Sequence, residues 1–290
     1  MLHFIYNPVA GKGKAAQFRR ILDPLLQSKS VPFQFHATRK RGDAVLLARR
    51  LTENGDAHDI VAMGGDGTLN EVLNGLADPS TVRLGVMPCG SGNDFAAVAG
   101  IPDTAEGALR LLLDGEARFT DFLECGGVRG LNAVGTGIDV DILRRYARMK
   151  LLKGSAAYLA SLVLTVFSYR ARRFEAFTDG ASHSHNALIA CAGNGRNIGG
   201  GITVCPEAVI DDGLMDVVIV DDIARARIPG AFVRLMRGRI LDLPTTLFRR
   251  VSHLRVVSDM PMPVQVDGEI HENLPFDVRV VTGQLRVYRP

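Results

Sequence analysis

The chain has 290 residues, of which 47% are hydrophobic and 22% charged. This length and composition predict one large or two ordinary globular domains and exclude wholesale disorder. The formal charge of +3 is too small to indicate a nucleic-acid partner. Four widely spaced cysteines without a C-x-x-C pair fit neither a zinc site nor a disulfide framework, so we expect buried thiols.

The N-terminal residues contain no basic leader, which predicts a cytoplasmic protein. The longest apolar run, residues 156–167, is shorter than the roughly 20 residues that a membrane-crossing helix needs. We therefore expect this run to lie in a core or to line an apolar pocket.

The first half alternates short β-rich runs with helical patterns, which is typical of a parallel sheet covered by helices. Apolar spacing and Gly punctuation predict strands at residues 2–6, 33–36, 60–63 and 84–87, and helices at residues 15–27, 42–54, 68–76 and just after residue 94.

Beyond about residue 120, strand-like segments follow one another with few helices between them. Strands are predicted at residues 118–125, 130–134, 174–178, 187–192, 215–220, 254–257 and 264–266, and helices at residues 140–169 and 224–236. This pattern predicts an antiparallel sheet or sandwich, and hence a second domain from about residue 122.

Three predicted strands each run into a Gly-rich turn and then a helix, at residues 7–12, 64–68 and 90–94. Such junctions collect unpaired backbone N–H groups at the positive end of a helix dipole, and glycine lets a ligand approach closely. None of the turns is a Walker A loop or a G-x-G-x-x-G fingerprint. One such turn is ordinary, but three along one sheet edge indicate a phosphate site.

Two of these turns contain an acid, Asp66 and Asp94. Carboxylates beside an anion are understandable if a divalent cation lies between them. The alternative for each is an Asx cap with no ligand.

A series of motifs extends over most of the chain: Asn7-Pro8 with Gly11-Lys12, residues 64–76 (GGDGTLNEVLNGL), residues 90–95 (GSGNDF), residues 193–196 with 199–201, residues 206–216, and Val266-Asp267-Gly268-Glu269. In this order the motifs closely resemble the diacylglycerol kinase catalytic-domain family, especially its soluble bacterial lipid kinases. Gly-Gly-Asp-Gly alone is shared with NAD kinases and phosphofructokinases, but the residues after it and the distant Asp-Gly-Glu separate this chain from those.

This resemblance implies an α/β fold with two domains. The N-terminal domain, residues 1–121, would be a three-layer Rossmann-like domain of the NAD kinase and diacylglycerol kinase type. Residues 122–279 would form a C-terminal antiparallel β-sandwich that takes the lipid substrate, and residues from about 280 to 290 would return to the first domain. The implied activity is transfer of the γ-phosphoryl group of ATP to a lipid hydroxyl, with Mg²⁺, in an interdomain cleft.

Site residues are carried over on the same resemblance. Lys12 would offer a charge to phosphate, Asp66 with Asp94 and Asp121 would organise the catalytic Mg²⁺, and Glu269 would be the general base, although Asp267-Gly268 alone predicts an exposed hairpin turn. A second, structural Mg²⁺ would use the carbonyls of Val209 and Leu214 and the carboxylate of Asp212. The nucleotide site would comprise Asn7, Pro8, Val9, Ala10, Gly11, Thr38, Gly65, Asp66, Gly67, Thr68, Leu69, Asn70, Glu71 and Ser91.

One position departs from the family: Ala97 stands where many relatives carry Arg. A family contact to phosphate or headgroup is therefore missing or supplied elsewhere. This weakens the prediction of the acceptor more than the prediction of the fold.

Two basic stretches, residues 144–153 and 169–173, flank the apolar run. They indicate either peripheral contact with the inner membrane surface or simply solvated helix faces. His183 and His185 are expected in an exposed hairpin loop rather than at a metal. Arginines 234, 237, 239, 249 and 250 are expected to be helix-face charges rather than a nucleic-acid track.

Two other functions stay open from the sequence. One is a small-molecule kinase resembling NAD kinase, and the other is a catalytically silent lipid-binding regulatory module. The identity of the lipid alcohol cannot be read from the residues, and homodimerisation is equally open.

Overall fold

In the computed structural model, which describes residues 1–55, 58–148, 155–178 and 180–290, the chain divides into two units. Unit 1 comprises Met1–Asp121 and Thr282–Pro290, and unit 2 comprises Phe122–Val281. The chain therefore leaves unit 1 once and returns to it with its last residues.

Unit 1 is built on parallel strands, of which β1 and β3 are buried on both faces over their whole length. Neighbouring strands pair in parallel in the order β2-β1-β3-β4. The elements are β1 (Leu2–Tyr6), α1 (Ala10–Ser28), β2 (Phe33–Ala37), α2 (Asp43–Thr52), β3 (Asp59–Gly64), α3 (Asp66–Gly75), a 3₁₀ turn (Pro79–Thr81), β4 (Arg83–Pro88), α4 (Asp94–Val98), α5 (Ala105–Asp114) and β5 (Ala117–Cys125).

Unit 2 is an antiparallel β-structure with helices packed on it. Its elements are β6 (Val128–Gly130), β7 (Ala133–Gly137), α6 (Ile138–Arg148), α7 (Ser155–Ser168), β8 (Arg172–Thr178), β9 (Ala181–Gly193), β10 (Asn197–Ile198), β11 (Ile202–Thr203), β12 (Met215–Asp221), a 3₁₀ turn (Arg225–Arg227), α8 (Ile228–Met236), a 3₁₀ turn (Ile240–Asp242), β13 (Thr246–Val251), β14 (His253–Val257), β15 (Val264–Val266), β16 (Glu269–His271) and β17 (Phe276–Tyr288).

The strands of unit 2 follow the order β16-β15-β7-β9-β8-β14-β17, and β12 pairs with both β9 and β13. One apolar cluster lies among the strands and includes Leu123, Val217 and Val278. A second cluster joins α6, α7 and α8 to the strands and includes Ile142, Leu162 and Ala231. The helices therefore cover one apolar layer of the sheet.

The last strand, β17, belongs to both units. Its first residues pair with β14 in unit 2, at Val278 opposite Leu254. Its last residues pair in parallel with β4, at Val287 opposite Leu84, in unit 1. There the Tyr288 hydroxyl donates to Asp59 Oδ1 at 2.8 Å, and the Arg83 guanidinium lies 2.7 Å from Asp59 Oδ2.

The α/β fold class is confirmed, and most predicted elements of the first half match within two residues. The predicted strand 130–134 is wrong, because β6 ends at Gly130 and β7 begins at Ala133. Between them the amides of Leu131 and Asn132 donate to the Asp267 carboxylate instead of to a neighbouring strand. The helical pattern at 140–169 forms two helices, and residues 149–154 lie outside the described residues. α5, β13 and β16 were not predicted.

The predicted loop at His183 and His185 is also wrong. Both residues lie in β9, which forms a hairpin with β8 in the register Thr178 to Ala181. His185 Nδ1 lies 3.0 Å from Asp221 Oδ1, so this histidine is held inside the sheet rather than in a loop. The four cysteines are free and buried, as expected.

Candidate active site

The three Gly-rich turns meet at one edge of the unit 1 sheet. They follow β1, β3 and β4, which are neighbouring parallel strands, so all three turns leave from carboxyl ends. A Cβ atom on Gly90 would lie 2.5 Å from Cα of Gly65, and one on Gly11 would lie 1.8 Å from the carbonyl oxygen of Cys89. The turns thus touch each other through backbone atoms, which is why side chains are excluded at these glycines.

The first turn holds three consecutive residues in the left-handed region. The φ angles of Gly11, Lys12 and Gly13 are 58°, 58° and 95°. The turn is opened by Asn7, whose Oδ1 accepts from the Val9 amide at 3.2 Å. A lysine with positive φ costs conformational energy, and such strain is typical of functional sites. Lys12 is exposed, so its ammonium group is available to an anion.

Asp66 connects the second turn to the third. Its Oδ2 accepts from the Asn93 amide at 2.7 Å, and the amides of Asp94 and Phe95 also stabilise its charged form. These amides start α4, so Asp66 caps that helix from another turn. Burial is the larger effect and raises the pKa of the Asp66 carboxyl above its ordinary value.

The amino end of α3 is the open end among these turns. Its N-cap residue is Gly65, which provides no side chain to cap the first amides. An uncapped helix start carries partial positive charge and free N–H donors, which suit a phosphate group.

Glu71 has a structural task beside the one that the resemblance implies. Its Oε1 accepts from the Gly42 amide at 2.9 Å and its Oε2 from the Ala44 amide at 3.2 Å. Glu71 therefore caps α2, and its contacts hold α2 against α3. Its assignment to the nucleotide site stays a prediction.

The other predicted nucleotide residues divide by burial. Thr68, Leu69 and Asn70 are buried inside α3 and support the turn from beneath. The residues at the surface of the turns are Val9, Gly11, Gly67 and Ser91, while Asn7, Pro8, Ala10, Thr38 and Gly65 are half-buried. The exposed members are the ones that a ligand can reach without rearrangement.

In unit 2, the Asp-Gly-Glu motif forms the tight turn of a hairpin. Asp267 and Gly268 have φ angles of 47° and 87°, and the strands on either side, β15 and β16, pair from Val266 to Glu269. The turn dipeptide and the family motif are therefore the same feature. Glu269 is half-buried as the first residue of β16.

Asp267 anchors that turn. Its carboxylate accepts from the amides of Leu131, Asn132 and Ala133 at 2.7, 2.8 and 3.0 Å. The Gly268 amide donates to Gln265 Oε1 at 2.8 Å. These bonds fix the backbone from which the Glu269 side chain leaves, which assigns Asp267 a positioning task that the sequence alone did not predict.

An apolar cavity of about 100 Å³ lies in unit 2 beneath α6, α7 and α8. Its lining is aliphatic except for Asp139 and Phe232; examples are Leu162 and Val166 of the predicted apolar run, and Ala231 and Leu235 of α8. Asp139 is 3% exposed, and the Val140 amide and the Gln265 side chain stabilise its charged form less than burial disfavours it.

The burial of Asp139 gives a pH-dependent stability. Burial raises the pKa of its carboxyl to about 7, so between about pH 4 and pH 7 the folded chain binds a proton that the unfolded chain releases. The free energy of unfolding therefore falls as the pH rises through this interval. We expect Asp139→Asn to remove this fall, a difference of up to about 4 kcal/mol.

Urea unfolding of the parent and of Asp139→Asn at pH 5 and pH 8 measures this effect. The stability of the variant relative to the parent should rise with pH. Asp141→Asn, on the same helix and facing Arg144 and Arg172, is the control and should show no such rise. A constant difference between Asp139→Asn and the parent at both pH values would contradict the prediction.

Family models match both halves of the chain. Residues 1–125 match the diacylglycerol kinase catalytic domain, and residues 132–289 match the YegS C-terminal NAD kinase beta sandwich-like domain. Diacylglycerol kinases of Staphylococcus aureus strains MRSA252 and bovine RF122 / ET3-1 are each 30% identical to the chain over 292 residues, covering 99% of this chain and 91% of the relative. The chain belongs to the diacylglycerol kinase family. It is accordingly a lipid kinase, with a catalytic domain followed by a β-sandwich domain.

Solved structures share the fold of this diacylglycerol kinase family member. A diacylglycerol kinase from Bacillus anthracis str. Sterne has a TM-score of 0.77 at 22% identity, covering 100% of this chain and 96% of the other. A second structure from the same organism has a TM-score of 0.83 at 22% identity, covering 100% and 95%. At these identities the likeness shows the fold alone.

In the turn that is predicted to bind a structural Mg²⁺, the Asp212 carboxylate is already paired with an arginine of the same chain. Asp212 Oδ1 accepts from the Leu214 amide at 3.0 Å, and its Oδ2 pairs with the Arg250 guanidinium. Arg250 Nε also lies 3.2 Å from Asp216 Oδ1. Because a guanidinium already neutralises these acids, the contacts do not favour Mg²⁺ there, and the ligand set of Val209, Asp212 and Leu214 stays a prediction.

Three arginines of the basic stretches that flank the apolar run have partners within unit 2. Arg144 Nη2 lies 2.6 Å from Glu272 Oε2, and Arg145 Nε donates to Thr165 Oγ1 at 3.0 Å. Arg172 Nη2 lies 3.8 Å from Asp141 Oδ2, and residues 149–154 lie outside the described residues. These arginines therefore have structural partners, which favours the solvated-face interpretation for them. Among the described residues, no helix is long and apolar enough to cross a membrane.

Proposed function

We propose that this lipid kinase transfers the γ-phosphoryl group of ATP to the hydroxyl of diacylglycerol or a closely similar lipid alcohol, with Mg²⁺. The observation that carries the proposal is the edge of unit 1 where three Gly-rich turns touch and Asp66 ties two of them together. The acceptor is proposed from the Staphylococcus aureus relatives, which are named diacylglycerol kinases.

The triphosphate would lie on the exposed backbone of these turns. The uncapped start of α3 would bind phosphate oxygens with backbone N–H groups, and the exposed Lys12 would add a positive charge. The left-handed backbone from Gly11 to Gly13 would present its amides to an anion, as the backbone of other turns does.

The donor set at this edge fits Mg²⁺ in its usual mode. Among the described residues no three acidic, His or Cys side chains form a cage, but Mg²⁺ in phosphoryl-transfer sites uses one or two carboxylates, phosphate oxygens and water. Asp66 would supply the protein carboxylate, and support from the buried Asp94 and Asp121 stays a prediction. The ion would neutralise charge on the transferring phosphoryl group.

Glu269 is the proposed general base. The lipid hydroxyl oxygen attacks the γ-phosphorus, the bond from that phosphorus to the β–γ bridging oxygen breaks, and the hydroxyl proton passes to the Glu269 carboxylate. ADP and the phosphorylated lipid are the products. The bonds from Asp267 and Gln265 would hold the base in place without contributing to the chemistry.

The cavity of unit 2 would receive the end of an acyl chain. Its aliphatic lining suits hydrocarbon, and its volume of about 100 Å³ is smaller than the roughly 150 Å³ cavity that holds benzene in an engineered protein. The helices that cover it would therefore have to move to admit a longer chain. A lipid acceptor also places the reaction at a membrane surface.

A lipid-panel assay tests the proposal. The protein is incubated with ATP, Mg²⁺, NAD and mixed lipid alcohols that include diacylglycerol, phosphatidylglycerol and a sphingoid base, and products are identified by mass spectrometry. We expect a phosphorylated lipid, with diacylglycerol the best acceptor. Phosphorylated NAD without phosphorylated lipid would instead support a small-molecule kinase, and no ATP consumption above background would support a silent lipid-binding module.

A further inference from the structure

The segment around α8 carries an unusual concentration of positive charge. From residue 223 to residue 240 the sequence has no acid and no lysine, but it has five arginines: Arg225, Arg227, Arg234, Arg237 and Arg239. Arg239 pairs with Asp242 at 2.6 Å. The other four are exposed and make no side-chain hydrogen bond or ion pair with the part of the chain that the structure describes.

The two faces of α8 differ in what they contact. Its inner face packs Ala231 and Leu235 against the apolar cavity. Its outer face exposes 46% of Val233 and 45% of Met236, and these side chains alternate with Arg234 and Arg237 along the helix. Exposed apolar groups among unpaired cations are typical of helices that lie in the interface of an anionic membrane.

The same charges could in principle attract nucleic acid, but the outer face does not favour it. Proteins that bind single strands stack bases on aromatic side chains, and the aromatic residue of α8, Phe232, faces the cavity. Valine and methionine side chains gain free energy by entering hydrocarbon, which phosphate backbones do not offer. The charge and the apolar groups together therefore indicate a bilayer.

We propose that α8 and its flanking arginines, residues 225–239, dock on an anionic phospholipid surface. The guanidinium groups of Arg225, Arg227, Arg234 and Arg237 lie at the level of the phosphate headgroups, and Val233 and Met236 enter the acyl boundary. The inference deepens the proposed function, because it rests on an acceptor that resides in a membrane. It places the contact on α8 instead of the stretches 144–153 and 169–173.

Sedimentation with sucrose-loaded vesicles tests the docking surface without nucleotide. Vesicles of phosphatidylcholine alone are compared with vesicles that contain about one third phosphatidylglycerol. The parent should bind the anionic vesicles and not the neutral ones. Arg234→Gln/Arg237→Gln should lower the partition coefficient by roughly tenfold or more. Each arginine near an anionic surface raises that coefficient about fivefold.

The matched control is Arg49→Gln/Arg50→Gln, which removes two exposed arginines from α2 in unit 1. It should bind like the parent. Val233→Gln/Met236→Gln, which keeps every charge, should also weaken binding and make the remainder more sensitive to salt. Equal binding by the parent and the Arg234→Gln/Arg237→Gln variant, or equal losses in both arginine pairs, would overturn the proposal, and so would binding to an RNA oligonucleotide but not to vesicles.

Activity on a short-chain, water-soluble diacylglycerol separates this inference from the proposed function. The α8 variants should keep the parent kcat and KM for that acceptor and lose rate only on vesicles. Vesicle binding that depends on Arg234 and Arg237 without phosphorylation of any lipid would leave the surface established and the proposed function wrong. Phosphorylation of the soluble acceptor without vesicle binding would give the opposite result.

Discussion

Glu269→Gln is expected to lower kcat by about 10²–10⁴-fold, because the amide keeps the size of the side chain but cannot take the proton of the lipid hydroxyl. The melting temperature should hardly change, since Glu269 is half-buried on β16, which ends the strand order of unit 2. The measurement is the initial rate on a water-soluble diacylglycerol at saturating ATP, together with thermal unfolding.

Glu272→Gln is the matched control for this substitution. Glu272 lies three residues further along and is exposed in its pair with Arg144, so its loss should leave the rate unchanged. A pH profile adds a readout that a structural role would not move: the acid limb of kcat should disappear in Glu269→Gln. If that variant turned over at nearly the parent rate, Glu269 would not be the base.

Asp66→Ala is expected to affect both turnover and stability. Loss of the carboxylate at the phosphate edge should lower kcat by about 10³-fold, as for other preorganised electrostatic groups. The Asp66 carboxylate also caps α4 by accepting from the Asn93 amide at 2.7 Å. Loss of this cap should lower the free energy of unfolding by about 1 kcal/mol. Asp66→Asn keeps an acceptor oxygen, so it should recover most of the stability and little of the rate.

Asp78→Ala provides the comparison within the same unit. Asp78 caps the short 3₁₀ turn at Pro79–Thr81 through the Ser80 amide at 2.9 Å, so its loss should lower stability and spare turnover. Measurements of kcat and of urea unfolding for Asp66→Ala, Asp66→Asn and Asp78→Ala distinguish the loss of a helix cap from the loss of a catalytic group. Parent-like kcat in Asp66→Asn would show that Asp66 is only a cap.

The strands β1, β3 and β4 of unit 1 were predictable because each is a short apolar run that ends at a Gly-rich turn. The run from Ile60 to Met63, for example, is wholly buried in β3, and parallel strands covered on both faces need no polar alternation. The signal for α5 was also in the sequence: Thr104 caps the Gly107 amide, and Leu109 and Leu112 are buried at helical spacing. Local patterns of this kind contain enough information to define an element.

The anchoring contacts of the site were not predictable, because their partners are distant in sequence. Asp267 accepts from amides about 135 residues away, and Asp66 caps a helix that starts 28 residues later. A turn dipeptide or a motif identifies a residue type, but it does not show which backbone amides donate hydrogen bonds to that residue. The burial of the Asp139 side chain depends in the same way on packing from several elements. The roles assigned by resemblance stay predictions until the substitutions are measured.

The passage of β17 from one unit to the other sets the order in which the molecule is completed during synthesis. The first 121 residues are synthesised early. The part of β17 that pairs with β4, and the Tyr288 hydroxyl that donates to Asp59, are synthesised only with residues 286–288. An unfinished polypeptide therefore lacks the strand beside β4 of unit 1 until residues 286–288 have been added. Nascent chains arrested before Thr282 should accordingly fail to retain ATP, while chains extended past Tyr288 should retain it.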